Sequence, residues 1–533
     1  MNRFDTPRAA AIFGPAVSHA TGKRDLWVSR WGIILAMAGN AIGLGNFLRF
    51  PVQAVQNGGG AFIIPYFVCL LLLGIPLMWI EWAMGRYGGH HGHGTTPGMF
   101  DLLWKHPLAK YVGTLGIILP TIVGIYYLYI ESWTLAYAFF TATGRYFGIT
   151  SMAEMKQFLH GFRGIGPSPI SFSPAAYAFL VVTLLLNVGV LYGGIAKGIE
   201  RLAVIGMPLL FVFAVVLMIR VFALGTPDPS QPDHSVLNGM GFIWNPDFSQ
   251  LKSGKIWLAA AGQIFFTLSV GFGIMACYAS YMRRRDDIVV TGLSTAMTNE
   301  FAEVVLGASI AIPIACAFFG TAATQEIAKG GAFDLGFMAM PLVMERLAGG
   351  RGLGTIWFLL LFIAGITSSV ALLQGAISFL EDELAWSRRK AVTVVGLFVF
   401  AAVHIPVLGL KAGALDEMDF WAGTVGLALF AFIETALFMW VFGSKRAWEE
   451  IHVGAEARLP RAFFPVLAGV TPFVLLAVFI AWAWQSGWEV LTMKGAAPAE
   501  VSWRWAARGL IVVTAALSCW MVHAAWKRRG ARP

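Results

Sequence analysis

Long apolar runs, each about the length needed to cross a bilayer, alternate along this chain with short polar stretches that hold most of its charge. A membrane helix needs about 20 apolar residues. Twelve runs meet that need, at about 29–56, 60–88, 109–142, 174–194, 200–223, 256–283, 291–320, 352–385, 390–410, 414–443, 462–485 and 503–526. The pattern predicts an all-α, polytopic membrane protein with twelve transmembrane helices. The long outer connections are 143–173, 224–255 and 321–351; the last contains an amphipathic stretch, AFDLGFMAMPLVMERLA, that predicts a short helical lid. Long structured loops on one face usually cap something.

Two runs are interrupted in the middle. The first reads WGIILAMAGNAIGLGNFLRFP, with Gly39, Asn40, Gly43, Gly45 and Asn46 near its centre, and the sixth reads GQIFFTLSVGFGIMACYASY, with Thr267, Ser269, Gly271 and Gly273 in the corresponding place. Glycine costs about 1 kcal/mol in a helix interior relative to alanine. Close helix packing through small residues explains either run alone. Two breaks five runs apart fit a five-plus-five inverted repeat, in which interrupted segments in equivalent positions mark a transporter's binding site. Irregular backbone at membrane depth is tolerated only where it is buried in protein or lines a cavity. Each half-helix offers unpaired N–H groups at its start, which favour an anion, and unpaired carbonyls at its end, which favour cations. Such a site suits a zwitterion together with a small alkali ion.

Composition removes the soluble alternatives. Of 533 residues, 57% are hydrophobic and 13% charged, against about 25% charged in an ordinary soluble domain. The net charge of +9 is spread in short basic clusters between apolar runs, as in the cytoplasmic loops of membrane proteins, so no nucleic-acid partner is expected. With the N-terminus inside, the clusters Arg283-Arg284-Arg285, Arg388-Arg389-Lys390 and Lys527-Arg528-Arg529 all fall inside. Both termini are therefore expected in the cytoplasm of a multi-pass protein of the cell inner (plasma) membrane. The first 26 residues have no sustained apolar core and read as a cytoplasmic tail rather than a cleavable signal. Cys69, Cys277, Cys316 and Cys519 lie in apolar segments without paired spacing, which implies neither a disulfide framework nor a metal site. His90, His91 and His93 in GGHHGHGT suggest a metal-dependent membrane enzyme, but a solvated glycine-rich loop fits better and no HExxH motif is present. A channel is the other rival.

The stretches NAIGLGNFLRFPVQAVQNGGGAFIIPYF, GIPLMWIEWAMGRYGG, GIYYLYIESW, GQIFFTLSVGFG, AGITSSVALLQ, FLEDEL and LDEMDFWAGT closely resemble the neurotransmitter:sodium symporter family, in particular its prokaryotic amino-acid branch. The resemblance is good over about residues 24–450 and weaker beyond. It implies a cytoplasmic tail (1–26), a first five-helix repeat (27–223), an extracellular connection (224–255), a second repeat (256–443), two further spans (444–526) and a cytoplasmic end (527–533). It also implies no enzymatic activity, two sodium ions, no organic cofactor, an amino-acid substrate and compatibility with a homodimer. The first sodium site resembles one built from the Ala41 carbonyl, Asn46, Thr267 and Asn299, completed by the substrate carboxylate. The second resembles Gly39, Ile42 and Ala364 carbonyls with the Thr367 and Ser368 hydroxyls. Oxygen ligands of this kind suit a hard cation.

For the substrate, the resemblance implies that Leu44 and Gly45 N–H groups and the Tyr127 hydroxyl hold the carboxylate. The Ala41, Phe266 and Thr267 carbonyls with the Ser269 hydroxyl hold the ammonium, beside Gly43. Val123, Tyr127, Phe266, Ser269, Phe272, Ser368 and Leu372 surround the side chain. The pairs Val123/Tyr127 and Ser368/Leu372 are spaced i,i+4 and share helix faces. This lining has no charge to pair with an acidic or basic side chain, so a small to medium apolar amino acid such as leucine or alanine is expected. Glu303, i+4 from Asn299, stands where chloride-dependent members carry an uncharged residue. Chloride-independent transport is therefore expected, with Glu303 also a candidate proton carrier on the return step. Glu81, Glu131 and Glu434 read as structural acids within spans. The family's outer gate corresponds to Arg49 and Asp419 above Tyr127 and Phe272, and its inner gate to Arg24 and Asp382 beside Trp27 and Tyr281. The expected activity is sodium-coupled symport by alternating access.

Overall fold

The computed structural model describes residues 25–495 and 497–530, and their regular structure is entirely helical. Helix α1 (Arg30–Ala41) begins at Ser29, whose side chain accepts from the Gly32 N–H at 2.9 Å, a cap that satisfies one of the donors a helix start leaves free. It gives way to α2 (Gly45–Gln56) across a 49° bend. The following helices are α3 (Gly60–His90), α4 (Ala109–Thr143), α5 (Pro174–Tyr192) and α6 (Ile195–Phe222). Next come two short helices, α7 (Gly254–Thr267) and α8 (Ile274–Ala279). The series ends with α9 (Val289–Lys329), α10 (Gly350–Asp382), α11 (Arg388–Leu408), α12 (Ala414–Val441), α13 (Phe463–Ile480) and α14 (Pro498–Arg529).

Ten helices among the described residues are long and apolar enough to cross a membrane, or eleven when α1 and α2 are taken as one span. The remaining expected run, the sixth at 256–283, is divided between α7 and α8, of 14 and 6 residues, neither long enough alone. That division is the sixth-run break anticipated from its glycines.

Helices α4 and α10 run against each other over most of their lengths, and α1 leans on α6, α9 and α10. Helix α3 passes both halves of the divided segment, touching α7 with its first part and α8 with its second. The approach to α8 depends on Gly85, where a Cβ would fall 2.1 Å from the Ala276 carbonyl oxygen. Near the end of α3 Arg86, fully buried, donates to the Asp286 and Val453 carbonyls and pairs with Glu450 at 3.1 Å. This fixes α3 to the helix Ser444–Ile451.

Two of the expected connections, 321–351 and 224–255, are helical over part of their length. Helix α9 continues to Lys329, past the expected end at 320, kinking at Gly320 (φ 77°). The lid is helical from Ala332 to Arg346, as predicted, and the outer connection 224–255 contains a helix, Val236–Trp244, capped by Ser235. The GGHHGHGT string is not wholly solvated. His90 and His91 are exposed, but His93 is buried, with Nδ1 2.8 Å from Glu383. Arg529 at the end of α14 pairs with the same carboxylate at 2.6 Å.

Candidate functional site

The two breaks face one another at the centre of the bundle. At the end of α1 the backbone leaves the helical region at Ile42 (ψ 90°). Asn46 secures the turn by accepting from the Gly43 N–H through Oδ1 at 2.9 Å, and the Tyr127 hydroxyl accepts from the Leu44 N–H at 3.1 Å. Between α7 and α8 the chain takes left-handed φ at Ser269 (52°), Gly271 (79°) and Gly273 (72°). Glycine adopts that region freely; serine does so at a cost that tends to persist at functional sites. The Ser269 hydroxyl donates to the Asn40 carbonyl at 3.1 Å, joining the two breaks.

Between them lies a small cavity of about 40 Å³. Ala41, Gly43 and Gly45 line it from the first break, Phe266, Ser269 and Phe272 from the second, Val123 and Tyr127 from α4, and Ser368 and Leu372 from α10. These ten are all substrate-site expectations. Leu44 and Thr267, the other two, sit at its edge: Leu44 through its bond to Tyr127, and Thr267 within the adjoining polar cluster. Asn40 and Asn46 also line the wall.

The residues expected at the first sodium site meet directly behind this cavity. Asn46 Nδ2 lies 2.9 Å from Asn299 Oδ1 and 3.2 Å from Thr267 Oγ1, and Asn299 Nδ2 lies 3.1 Å from the same hydroxyl. Asn299 Oδ1 and Thr267 Oγ1 thus converge on the Asn46 amide nitrogen, while Asn46 Oδ1 accepts from the Gly43 N–H; amide and hydroxyl oxygens are ligands that a hard monovalent cation takes. Glu303, fully buried, closes the cluster. It accepts from Gln263 Nε2 at 2.6 Å, from Asn46 Nδ2 at 3.0 Å and from the Thr267 hydroxyl.

The second set assembles where α1 meets α10. The Ser368 hydroxyl is 3.1 Å from both the Asn40 and Ala364 carbonyls and 3.5 Å from that of Gly39; Thr367 Oγ1 is 3.1 Å from the Ala364 carbonyl. Gly39 is close enough that a Cβ there would lie 3.3 Å from the Thr367 Cβ. Ile42 stands one turn along, at the end of the same helix.

The expected gates are only partly assembled. Arg49 and Asp419, both half-buried, form no ion pair. Arg49 lies over the Phe266 ring, 4.2 Å from its centroid, while the Tyr126 hydroxyl donates to Asp419. Each charge therefore has its own partner across the mouth. Above them, burial raises the carboxyl of Asp334 in the lid, against the lowering effect of Lys156 and Arg163 on the neighbouring helix Met152–Arg163. At the inner mouth Trp27 donates through Nε1 to the Tyr278 carbonyl at 3.0 Å, and the Tyr281 hydroxyl lies 2.6 Å from Ser378 and 3.1 Å from Gln374. Asp382 is half-buried at the end of α10; its expected partner Arg24 lies outside the described residues.

Several site residues escaped the sequence reading. Asn40 belongs to the glycine-rich break but had no assigned task. Gln263 precedes Thr267 by four positions and so shares its face, and that spacing could have revealed it. Glu300 and Tyr66 also lie against Glu303. Glu300 is legible only as the neighbour of Asn299.

Two broken helices enclosing an apolar cavity with oxygen clusters beside it define a multi-pass membrane transporter of the sodium-dependent class. A profile of the Sodium:neurotransmitter symporter family matches residues 24–157 and 149–524, and the chain belongs to that family. It is 31% identical over 464 residues to an uncharacterized sodium-dependent transporter of Methanocaldococcus jannaschii, covering 86% of this chain and 90% of that one. To the sodium-dependent serotonin transporter of Drosophila melanogaster it is 25% identical over 529 residues, covering 89% and 81%. Among solved structures it is similar to MhsT in complex with L-phenylalanine, with a TM-score of 0.73, 27% identity, and coverage of 86% of this chain and 99% of that one. These relatives are transporters, not enzymes.

Proposed function

We propose that this protein is a symporter of small to medium apolar amino acids, leucine- or alanine-like, driven by two sodium ions and independent of chloride. The observation that carries the reading is the cavity wall. Its larger side chains are Val123, Phe266, Phe272 and Leu372, joined by Tyr127, Ser269, Ser368, Asn40 and Asn46, and no Lys, Arg, Asp or Glu lines it. A charged substrate side chain buried there would have no partner, which is costly. The main chain of Gly43 and Gly45 at the first break, which lies where α1 ends and α2 begins, suits the carboxylate and ammonium of an α-amino acid.

Sodium at the Asn46–Thr267–Asn299 cluster would share the substrate carboxylate, so each ligand improves the other's site. Sodium at Gly39, Ile42, Ala364, Thr367 and Ser368 would tie α1 to α10. Joint occupancy then favours an occluded state through differential affinity, and alternating access follows as spans equivalent in the repeats 27–223 and 256–443 rock against each other. Arg49 with Asp419, and Arg24 with Asp382 beside Trp27 and Tyr281, act as the two gates. Exposed ion pairs contribute only about 0–1 kcal/mol, which suits contacts that must open each cycle. Glu303 supplies the negative charge beside the first sodium that an anion would otherwise provide. The basic clusters favour an orientation with both termini on the cytoplasmic side of the cell's inner membrane.

Uptake of a panel of amino acids into proteoliposomes tests this. Leucine or alanine uptake should saturate, require an inward sodium gradient and persist when chloride is replaced by gluconate. Glutamate or lysine outcompeting leucine would overturn the substrate assignment; flux that fails to saturate would favour a channel.

A further inference from the structure

Glu131 takes no part in the cavity or in either oxygen cluster, yet it is a fully buried acid at membrane depth. Its Oε1 accepts from Asn187 Nδ2 on α5 at 3.1 Å; the other end of that amide, Oδ1, accepts from the Ser369 hydroxyl on α10 at 2.6 Å. Asn187 is itself anchored to its own helix through the Thr183 carbonyl at 3.0 Å. All three side chains in the bridge are fully buried. Helices α4, α5 and α10 are thereby joined at one level. The stem of Glu131 also rests on the bare backbone of Gly365, where a Cβ would come 2.8 Å from Glu131 Cγ.

The level matters, because Gly365 and Ser369 bracket the stretch from Ala364 that contains Thr367 and Ser368. On its other side this stretch meets α1, through the bonds of Ser368 to the Asn40 and Gly39 carbonyls. We propose that Glu131, acting through Asn187 and through its contact with Gly365, is a positioning residue that sets the rotation and height of residues 364–369 on α10, and so the spacing of the oxygens that receive the second sodium. This rests on the assignment of Thr367 and Ser368 to that site. Two arguments support it. Cation–oxygen distances tolerate errors of only about 0.2 Å, so a segment that supplies three ligands must be held from behind. Interhelical hydrogen bonds in membranes add little to stability on average, so the expense of burying a carboxyl here is better explained by placement.

The experiment measures the sodium dependence of substrate binding and uptake by the purified full-length transporter, for Glu131→Ala, Glu131→Gln, Asn187→Leu and Thr367→Ala. Glu131→Ala and Asn187→Leu should raise the sodium half-saturation concentration about tenfold, with substrate half-saturation at saturating sodium shifted less than about twofold. Glutamine keeps the Oε1 acceptor, so Glu131→Gln should stay within about twofold of the unaltered protein. Should Glu131→Ala fail to fold, Ser369→Ala, which deletes one hydroxyl, should still raise the sodium requirement about threefold. If Thr367→Ala shifts the sodium dependence but the Glu131, Asn187 and Ser369 variants change only yield or maximal rate, the positioning role is overturned. If Thr367→Ala also leaves sodium dependence unchanged, the second-site assignment falls and takes this inference with it.

Discussion

Glu303 is surrounded by donors: three side chains, Gln263, Asn46 and Thr267, aim hydrogen bonds at one buried carboxyl. Two of those donors belong to the cluster assigned to the first sodium. In the proposed function a negative charge on Glu303 would offset that cation without a mobile anion. Glu303→Ser should therefore make uptake depend on chloride, with rates in gluconate falling at least about tenfold below rates in chloride. Equal rates in both media would sink the charge argument. Gly43 allows a second residue-scale expectation, since a Cβ there would lie 2.9 Å from Ser368 Oγ and 3.0 Å from the Tyr127 hydroxyl. Gly43→Ala should fill the end of the cavity and raise the substrate KM about tenfold while the protein remains folded. An unchanged KM would place the substrate elsewhere.

At the scale of the element, the break between α7 and α8 depends on backbone that few residues adopt. Gly271 has φ of 79° and its missing Cβ would sit 2.8 Å from that of Ala431. Left-handed backbone costs a non-glycine residue about 1–2 kcal/mol, so Gly271→Ala should lower unfolding stability by at least that much, read as a reduced melting temperature in detergent. The same glycines made the break visible in the sequence. So did the apolar runs, whose lengths anticipated most of the helices, and the amphipathic pattern of the lid. What the sequence hid was of two kinds. Partners distant along the chain were one: His93 meets Glu383 290 positions away, and no local pattern in GGHHGHGT announces it. Choice among competing partners was the other. Arg49 and Asp419 carry the charges of a gate, but an aromatic ring and a tyrosine hydroxyl engage them separately, and only geometry decides between those options. The extension of α9 past residue 320 was also hidden, because polar residues of good helix propensity look the same in a loop and in a helix end.

Across the whole molecule, distant parts of the chain meet at the end of α10. The end of α14 is fastened to the end of α10 through Arg529 and Glu383, through Arg528 and the Leu384 carbonyl at 3.0 Å, and to the helix Thr96–Leu103 through Trp526 and Asp101 at 3.0 Å. Glu383 is fully buried and Arg529 one-third exposed. Loss of one partner from a buried pair is expensive, but His93 still contacts the carboxylate and solvent reaches the arginine. Arg529→Ala should thus lower stability by about 1–2 kcal/mol, less than a fully enclosed pair would. Thermal unfolding checks this, and no loss would mean that His93 alone satisfies Glu383.

Gly43 and Gly45 have no side chain, so the first break lines the cavity there with main-chain atoms alone. Every residue carries the same peptide carbonyl, so no exchange of amino acid removes it, and only proline removes the N–H. Ordinary mutagenesis at Ala41 or Phe266 reports on volume and leaves the carbonyl in place. Replacing an individual amide by an ester, which weakens one carbonyl and deletes one N–H, is the chemistry that can interrogate these positions. The most heavily used ligands of the proposed site are for the same reason the ones that inheritance can least easily alter, while the side chains around them remain free to drift toward a different amino acid.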